Sequence, residues 1–187
     1  MKYCSILLLL IASMLTGCVA VVVAGAAAGM VVYDRRSVTV LESDTRIFHL
    51  VHKTIVTDPR FRDSRIIVVS FNQTVLLIGQ TPTASLRVLA EKIVQNTPSV
   101  RRVYDEISVG YPLSLSTRAK DTLVTGQVRS YMLNKKGLES GSIRIVTEGG
   151  VVYLMGIATH EQANLAVDVA RQVKGVQKVV KIFQYIT

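Results

Sequence analysis

Beyond residue 43 the apolar and polar positions fall into two successive runs of the same order. Ile47, Val51 and Ile55 recur every four residues with Phe48 alongside, which predicts an amphipathic helix. Asp44 is read as its N-cap. Asp58-Pro59 ends it, because proline disfavours helical backbone in the residue before it. Two β-rich runs follow, Arg65 to Phe71 and Thr74 to Gly79. Asn72-Gln73 between them predicts an antiparallel hairpin. Pro82, with Thr81 as cap, opens a second helix whose apolar face is Leu86, Leu89, Ala90, Ile93 and Val94. Asn96-Thr97-Pro98 stops it, and Val103 to Val109 alternates as a strand. Gly110-Tyr111-Pro112 closes the unit.

The order then repeats. Thr117 to Asn134 reads as a helix with Val124, Val128, Tyr131 and Met132 on one face. Ser142 to Thr147 and Val151 to Gly156 read as a second hairpin turning at Glu148-Gly149-Gly150. Thr159 and Gln162 have capping-box spacing ahead of a helix carrying Ala163, Ala166, Val167, Ala170 and Val173. Gly175 ends that helix, and Val176 to Ile186 is the last strand. The copies also align directly: Val75 to Thr81 (VLLIGQT) lies against Val152 to Ala158 (VYLMGIA), with Gly79 on Gly156. The fold expected is α+β, two tandem αββαβ units. In each, helices pack on one face of a small mixed three-stranded sheet, and a right-handed crossover makes the last two strands parallel. The divisions are 44–110 and 117–187, joined by a linker at 111–116. Units this small have small cores, which favours packing of one on the other. Gly79 and Gly156 are read as backbone positions where a side chain would collide with a packed helix.

Charge adds a surface property. The chain of 187 residues carries a formal +9. Residues 44–110 hold nine Lys/Arg against six acids and 117–187 hold ten against five, so the second unit is the more basic. In an exported protein such a balance points to anionic lipid or another acidic envelope polymer rather than nucleic acid, unless it is only a solvated surface.

The N-terminus argues for export. Lys2, the apolar run Ile6 to Ile11 and the small or neutral residues up to Cys18 describe a secretory signal peptide. Leu15-Thr16-Gly17-Cys18 resembles a bacterial lipobox. That resemblance implies cleavage after residue 17, diacylglycerol on the Cys18 thiol and an acyl chain on its new amine. Each buried CH2 adds roughly 0.8 kcal/mol to membrane attachment, so several chains hold where one would not. Val19 after the cysteine implies sorting to the outer membrane, facing the periplasm. The alternatives are an ordinary thiol beside a cleavage site, or one transmembrane helix through the uncharged stretch from Ser5 to Tyr33, which contains a Gly25/Gly29 pair. Cys18 to Val32 is read as a membrane-proximal tether and Tyr33 to Leu41 as a linker of low order, so that 18–43 precede the first unit.

The αββαβ repeat, the glycine late in each second strand, and the Val-x-x-Val steps at Val100 to Val103 and Val176 to Val179 resemble the BON domain. With the lipobox, the chain is similar to the dual-BON outer-membrane lipoproteins. Arg36-Ser37-Val38, Val103-Tyr104-Asp105-Glu106-Ile107, Val128-Arg129-Ser130 and Leu154-Met155-Gly156 carry the likeness further. It implies a non-enzymatic protein that supports outer-membrane integrity, gathers at the division site and binds anionic phospholipid through the first helix of the second unit. Arg129 and Leu133 match that lipid site; Leu123 stands where the family has tryptophan and Gln127 where it has lysine. Lys120, Lys135 and Lys136 are the cations left to compensate. An apolar edge rimmed by Lys and Arg is also what an interfacial helix requires on physical grounds.

Other chemistry is missing from the sequence. His49, His52 and His160 make no recognisable ligand set, so no metal or other cofactor is expected beyond the chains on Cys18. No nucleophile elbow, phosphate loop or zinc-protease motif occurs, so no small-molecule substrate is expected. The rival reading is an adaptor that docks an envelope protein.

Overall fold

The computed structural model describes residues 34–187. The signal segment 1–17, Cys18 and the tether up to residue 33 lie outside the described residues. The element order is α1 (Val38–Thr57), β1 (Arg65–Phe71), β2 (Thr74–Thr81), α2 (Ala84–Gln95) and β3 (Arg102–Val109), then α3 (Leu115–Asn134), β4 (Ile143–Glu148), β5 (Val151–Ala158), α4 (His160–Arg171) and β6 (Lys178–Tyr185). Two short 3-10 turns, Pro59–Phe61 and Ser140–Ser142, precede β1 and β4. Each unit is αββαβ. In the sheets β1-β2-β3 and β4-β5-β6 the first pair is antiparallel and the second parallel.

Strand periodicity distributes the apolar side chains over two faces. On one face of the first sheet, Val75 and Leu77 meet Ile47, Val51 and Ile55 of α1 and Ala90 and Val94 of α2. In the second unit, Val152 and Leu154 meet Val124, Val128 and Met132 of α3 and the alanines of α4. The opposite faces cover each other. Phe71, Leu76 and Ile78 pack with Tyr153, Met155 and Ile182 in a third core that belongs to both sheets. This double covering buries all eight residues of β2. It also accounts for uninterrupted apolar runs where a sheet open to water on one side would alternate. At the border of this core Glu148 accepts from Arg65 Nη1 at 2.7 Å and from Gln80 Nε2 at 2.9 Å, and Gln80 Oε1 accepts from Leu113 N at 3.1 Å.

Several sequence expectations are corrected. The first helix begins at Val38, not after Asp44. Ser37 is its N-cap and accepts from Val40 N, so the supposed linker is helix and Asp44 sits inside it, buried. Asp44 caps the hairpin turn instead: its carboxylate accepts from Asn72 N at 2.7 Å, Gln73 N at 2.8 Å and Ser70 Oγ at 3.0 Å. Asp121 repeats the device with Gly149 N at 2.8 Å and Gly150 N at 2.9 Å. Both turns have two residues with positive φ, as a tight hairpin matching strand twist demands. The second helix is capped by Thr83 rather than Thr81, because Thr81 continues β2. Tyr131 faces outward, which leaves Val124, Val128 and Met132 as the apolar face of α3, while on α4 Val169 is buried beside the alanines. Gln162 does not close a capping box. Thr159 accepts from Gln162 N, but the glutamine side chain reaches Gly137 O and Glu139 N.

The two glycines are required by backbone carbonyls at the head of the neighbouring strand, Arg65 opening β1 and Ser142 just before β4, not by a packed helix. A Cβ on Gly79 would lie 2.0 Å from the carbonyl oxygen of Arg65 on β1, and Gly79 also has a φ of +121°. A Cβ on Gly156 would lie 2.6 Å from the carbonyl oxygen of Ser142, with the Phe183 ring on its other side.

Two outcomes follow from this packing. Asp121→Ala leaves the buried Gly150 N–H and the part-buried Gly149 N–H without their acceptor and lowers the stability of the fold by on the order of 3 kcal/mol, read from the denaturant midpoint. Burial between the sheets, reinforced by Glu106 and Glu148, pushes the Tyr153 phenol up to about 12. An alkaline absorbance titration of the wild type minus Tyr153→Phe therefore shows one phenol ionising well above the ordinary range. Because the unfolded chain ionises this group first, the stability it contributes is present below the unfolded value of 10.0 and is lost as pH rises towards about 12.

Candidate surface site on the first helix of the second unit

Helix α3 opens with Ser114, whose hydroxyl accepts from Thr117 N, and ends at Lys135, with Gly137 beyond it at a φ of +82°. Asp121, Val124, Val128 and Met132 recur at intervals of three or four and bury one face of the helix. The opposite face carries Leu115, Ala119, Leu123, Gly126, Ser130 and Leu133, all exposed. Leu123 is 68% exposed and Leu133 54%. A Cβ built on Gly126 meets nothing within 4 Å, so the middle of this face is open.

The residues singled out in the sequence divide into two groups. Lys120, Leu123 and Gln127 are exposed and follow one flank, joined there by Tyr131, which is 53% exposed. Leu133 continues the outward line, and Lys135 and Lys136 stand exposed at the C-terminal end. Arg129 lies on the other flank. It lines a cavity of about 460 Å³ with Arg36, Phe48, Val68, Arg144 and Ile145, so it does not share a rim with Lys120. Helix periodicity already separates the two, since nine residues at about 100° each place Arg129 half a turn from Lys120.

In that cavity Arg36 donates to Asp34 at 2.7 Å and to Asp44 at 2.8 Å and stands 4.1 Å over the Phe71 ring. The hydrogen bond from Arg36 holds the Asp34 carboxyl below its usual range. Burial works against the Arg36 charge, but hydrogen bonds to the two aspartates outweigh it and raise the guanidinium above its ordinary value. Arg144 is pushed the other way, first by burial and then by Arg36 and Arg129 nearby. Among the described residues there is no group of three or more His, Cys, Asp or Glu placed to hold a metal ion, and no helix long and apolar enough to cross a membrane.

Paired αββαβ units joined back to back, with an outward helix face left uncovered, define a tandem-module α+β protein. Residues 43–111 and 120–187 each match the BON domain, and the chain belongs to the BON-domain family. It is 34% identical over 174 residues to a Haemophilus influenzae protein named outer membrane lipoprotein DolP, a match covering 92% of this chain and 90% of that one. It is 32% identical over 154 residues to the 21 kDa hemolysin of Actinobacillus pleuropneumoniae, covering 82% and 79% respectively. Among solved structures, CdsD, a structural protein of the type III secretion system of Chlamydia trachomatis, aligns over 75% of this chain and 92% of its own at 11% identity and a TM-score of 0.32.

The exposed leucines are separable from the core. Leu123→Ser with Leu133→Ser leaves the thermal midpoint of the protein nearly unchanged, within about 0.5 kcal/mol of stability. Met132→Ala, one residue away on the buried face, costs about 2–5 kcal/mol.

Proposed function

We propose that this chain is a non-enzymatic outer-membrane lipoprotein, anchored through acyl chains on Cys18 and facing the periplasm. In this reading it binds anionic phospholipid through the outward face of α3, supports envelope integrity and gathers at the division site. The similarity to DolP, an outer membrane lipoprotein by name, supports the location. One observation carries the lipid reading: Leu123 and Leu133 stand uncovered on a helix whose ends and flanks present Lys120, Lys135 and Lys136.

A helix that keeps leucines outward and lysines beside them gains free energy in two ways at a lipid surface. The leucines leave water, at about 1.5–3 kcal/mol for a full burial, and each lysine near anionic headgroups adds about 1 kcal/mol. Leucine lacks the indole dipole that holds tryptophan at the headgroup level, so Leu123 supplies burial without that anchor. Arg129 is left to the inner flank.

Co-sedimentation of residues 34–187 with phosphatidylcholine vesicles, with and without phosphatidylglycerol, tests this. Binding rises several-fold with phosphatidylglycerol, falls about tenfold in the Leu123→Ser/Leu133→Ser protein and strengthens in Leu123→Trp. Equal binding to both vesicle types ends the phospholipid reading. Mass spectrometry of the mature protein tests the anchor, since a bare thiol at Cys18 is incompatible with it.

A further inference from the structure

A second feature of the surface is independent of the outward face of α3. Among the described residues the first strand of each sheet is an edge: β1 pairs only with β2, and β4 only with β5. The two-residue turns fix which residues bond across each hairpin. Phe71 with Thr74 and Glu148 with Val151 are the closing pairs, so alternate residues inward from them direct their N–H and C=O groups away from the partner strand. Those residues are Ser70, Val68 and Ile66 on β1, and Thr147, Ile145 and Ile143 on β4. The two edges lie side by side in opposite directions, with Arg65 at the start of β1 bonded to Glu148 at the end of β4.

Two cavities run along this seam. The larger, of about 460 Å³, is lined by Val68, Ser70 and Ile145, and a smaller one of about 260 Å³ by Ile67, Ile145 and Thr147. Ile145 and Val146 line both, so the space is one groove along the two free edges.

Five arginines (Arg36, Arg65, Arg118, Arg129 and Arg144) line this groove against three carboxylates (Asp44, Asp121 and Glu148). Glu148 is engaged by Arg65 and Gln80, Asp121 by Gly149 and Gly150, and Asp34 and Asp44 by Arg36. Arg118, Arg129 and Arg144 line the groove, and none forms an ion pair among the described residues. Arg118 Nε is moreover buried without a hydrogen-bond partner, which a native structure ordinarily avoids. Arg118 and Arg129 are eleven residues apart on α3, about 16 Å of helix. One phosphate cannot reach both, whereas about five residues of extended chain span that length.

We propose that the free edge of β4 is a docking edge for an extended acidic segment of another protein, which adds to the second sheet as an outer strand. Its backbone pairs with Ile143, Ile145 and Thr147. Its alternating carboxylates meet Arg118 and Arg129 on the helix side and Arg144 on the sheet side. Strand addition takes affinity from main-chain hydrogen bonds and specificity from alternate side chains, and the arginines select for acids.

The test uses the full chain in phosphatidylcholine nanodiscs and a fluorescent peptide of alternating valine and glutamate. Anisotropy shows saturable binding that is about tenfold weaker in Arg129→Gln/Arg144→Gln, a protein whose melting curve confirms its fold. Hydrogen exchange slows across residues 143–148 when the peptide is present. The Leu123→Ser/Leu133→Ser protein binds the peptide normally, which separates this site from the phospholipid reading. The proposal is overturned by any of four results: no binding, equal binding of a valine–lysine peptide, no new protection in β4, or displacement by glycerol 3-phosphate, which would assign the groove to a phosphate headgroup.

Discussion

The packing of one sheet on the other is the constraint from which the rest follows. Each unit has only two helices, and they cover one side of its sheet. The reverse side carries Phe71, Leu76 and Ile78 in one copy and Tyr153, Met155 and Ile182 in the other. Neither patch can face water without exposing large apolar side chains, and each has the other as its cover. The pairing fixes the direction of α3, because the helix lies on the far side of the second sheet. It also brings β1 and β4 together at one rim. The outward leucines and the arginine-lined groove are therefore set by the same contact, on two flanks of one helix.

The repeat goes deeper than the order of its elements. An aspartate in the first helix of each copy reaches the hairpin turn 28 residues later and accepts two backbone N–H groups there. The first copy uses Asn72 and Gln73 in the left-handed region and supplements Asp44 with Ser70 and Arg36. The second uses Gly149 and Gly150, which adopt that region without steric cost, and among the described residues Asp121 forms no ion pair with an arginine. Strain in the turn and support from the helix vary together.

Much of the fold was legible in the chain. Period-four stripes located the helices, the two-residue turns located the hairpins, and the VLLIGQT/VYLMGIA match exposed the duplication. The errors have physical causes. Asp44 is a good capping residue by type, and a buried carboxylate inside an apolar stripe looks like the end of that stripe. Thr81 and Thr83 are equally good caps locally, and only the parallel pairing of Thr81 with Val109 decides between them. The collision that demands glycine at positions 79 and 156 comes from a backbone carbonyl at the head of the adjacent strand, Arg65 or Ser142, which spacing alone does not reveal. For the candidate site, the outward Leu123 and Leu133 and the opposite flank of Arg129 all follow from the helix repeat, but the cavity that Arg129 lines is built with Arg36 and Phe48 from more than seventy residues earlier.

The outer rims of the sandwich remain to be considered. β3 and β6 are edges too, and they carry Arg102, Asp105 and Glu106 on one and Lys178 and Lys181 on the other. An uncovered strand end to end with its like is the seed of a fibre, and charge is the usual guard against it. Salt screens such charges, so the guard weakens as ionic strength rises. Copies of this chain that come close together thus depend on their charged rims to stay solitary particles.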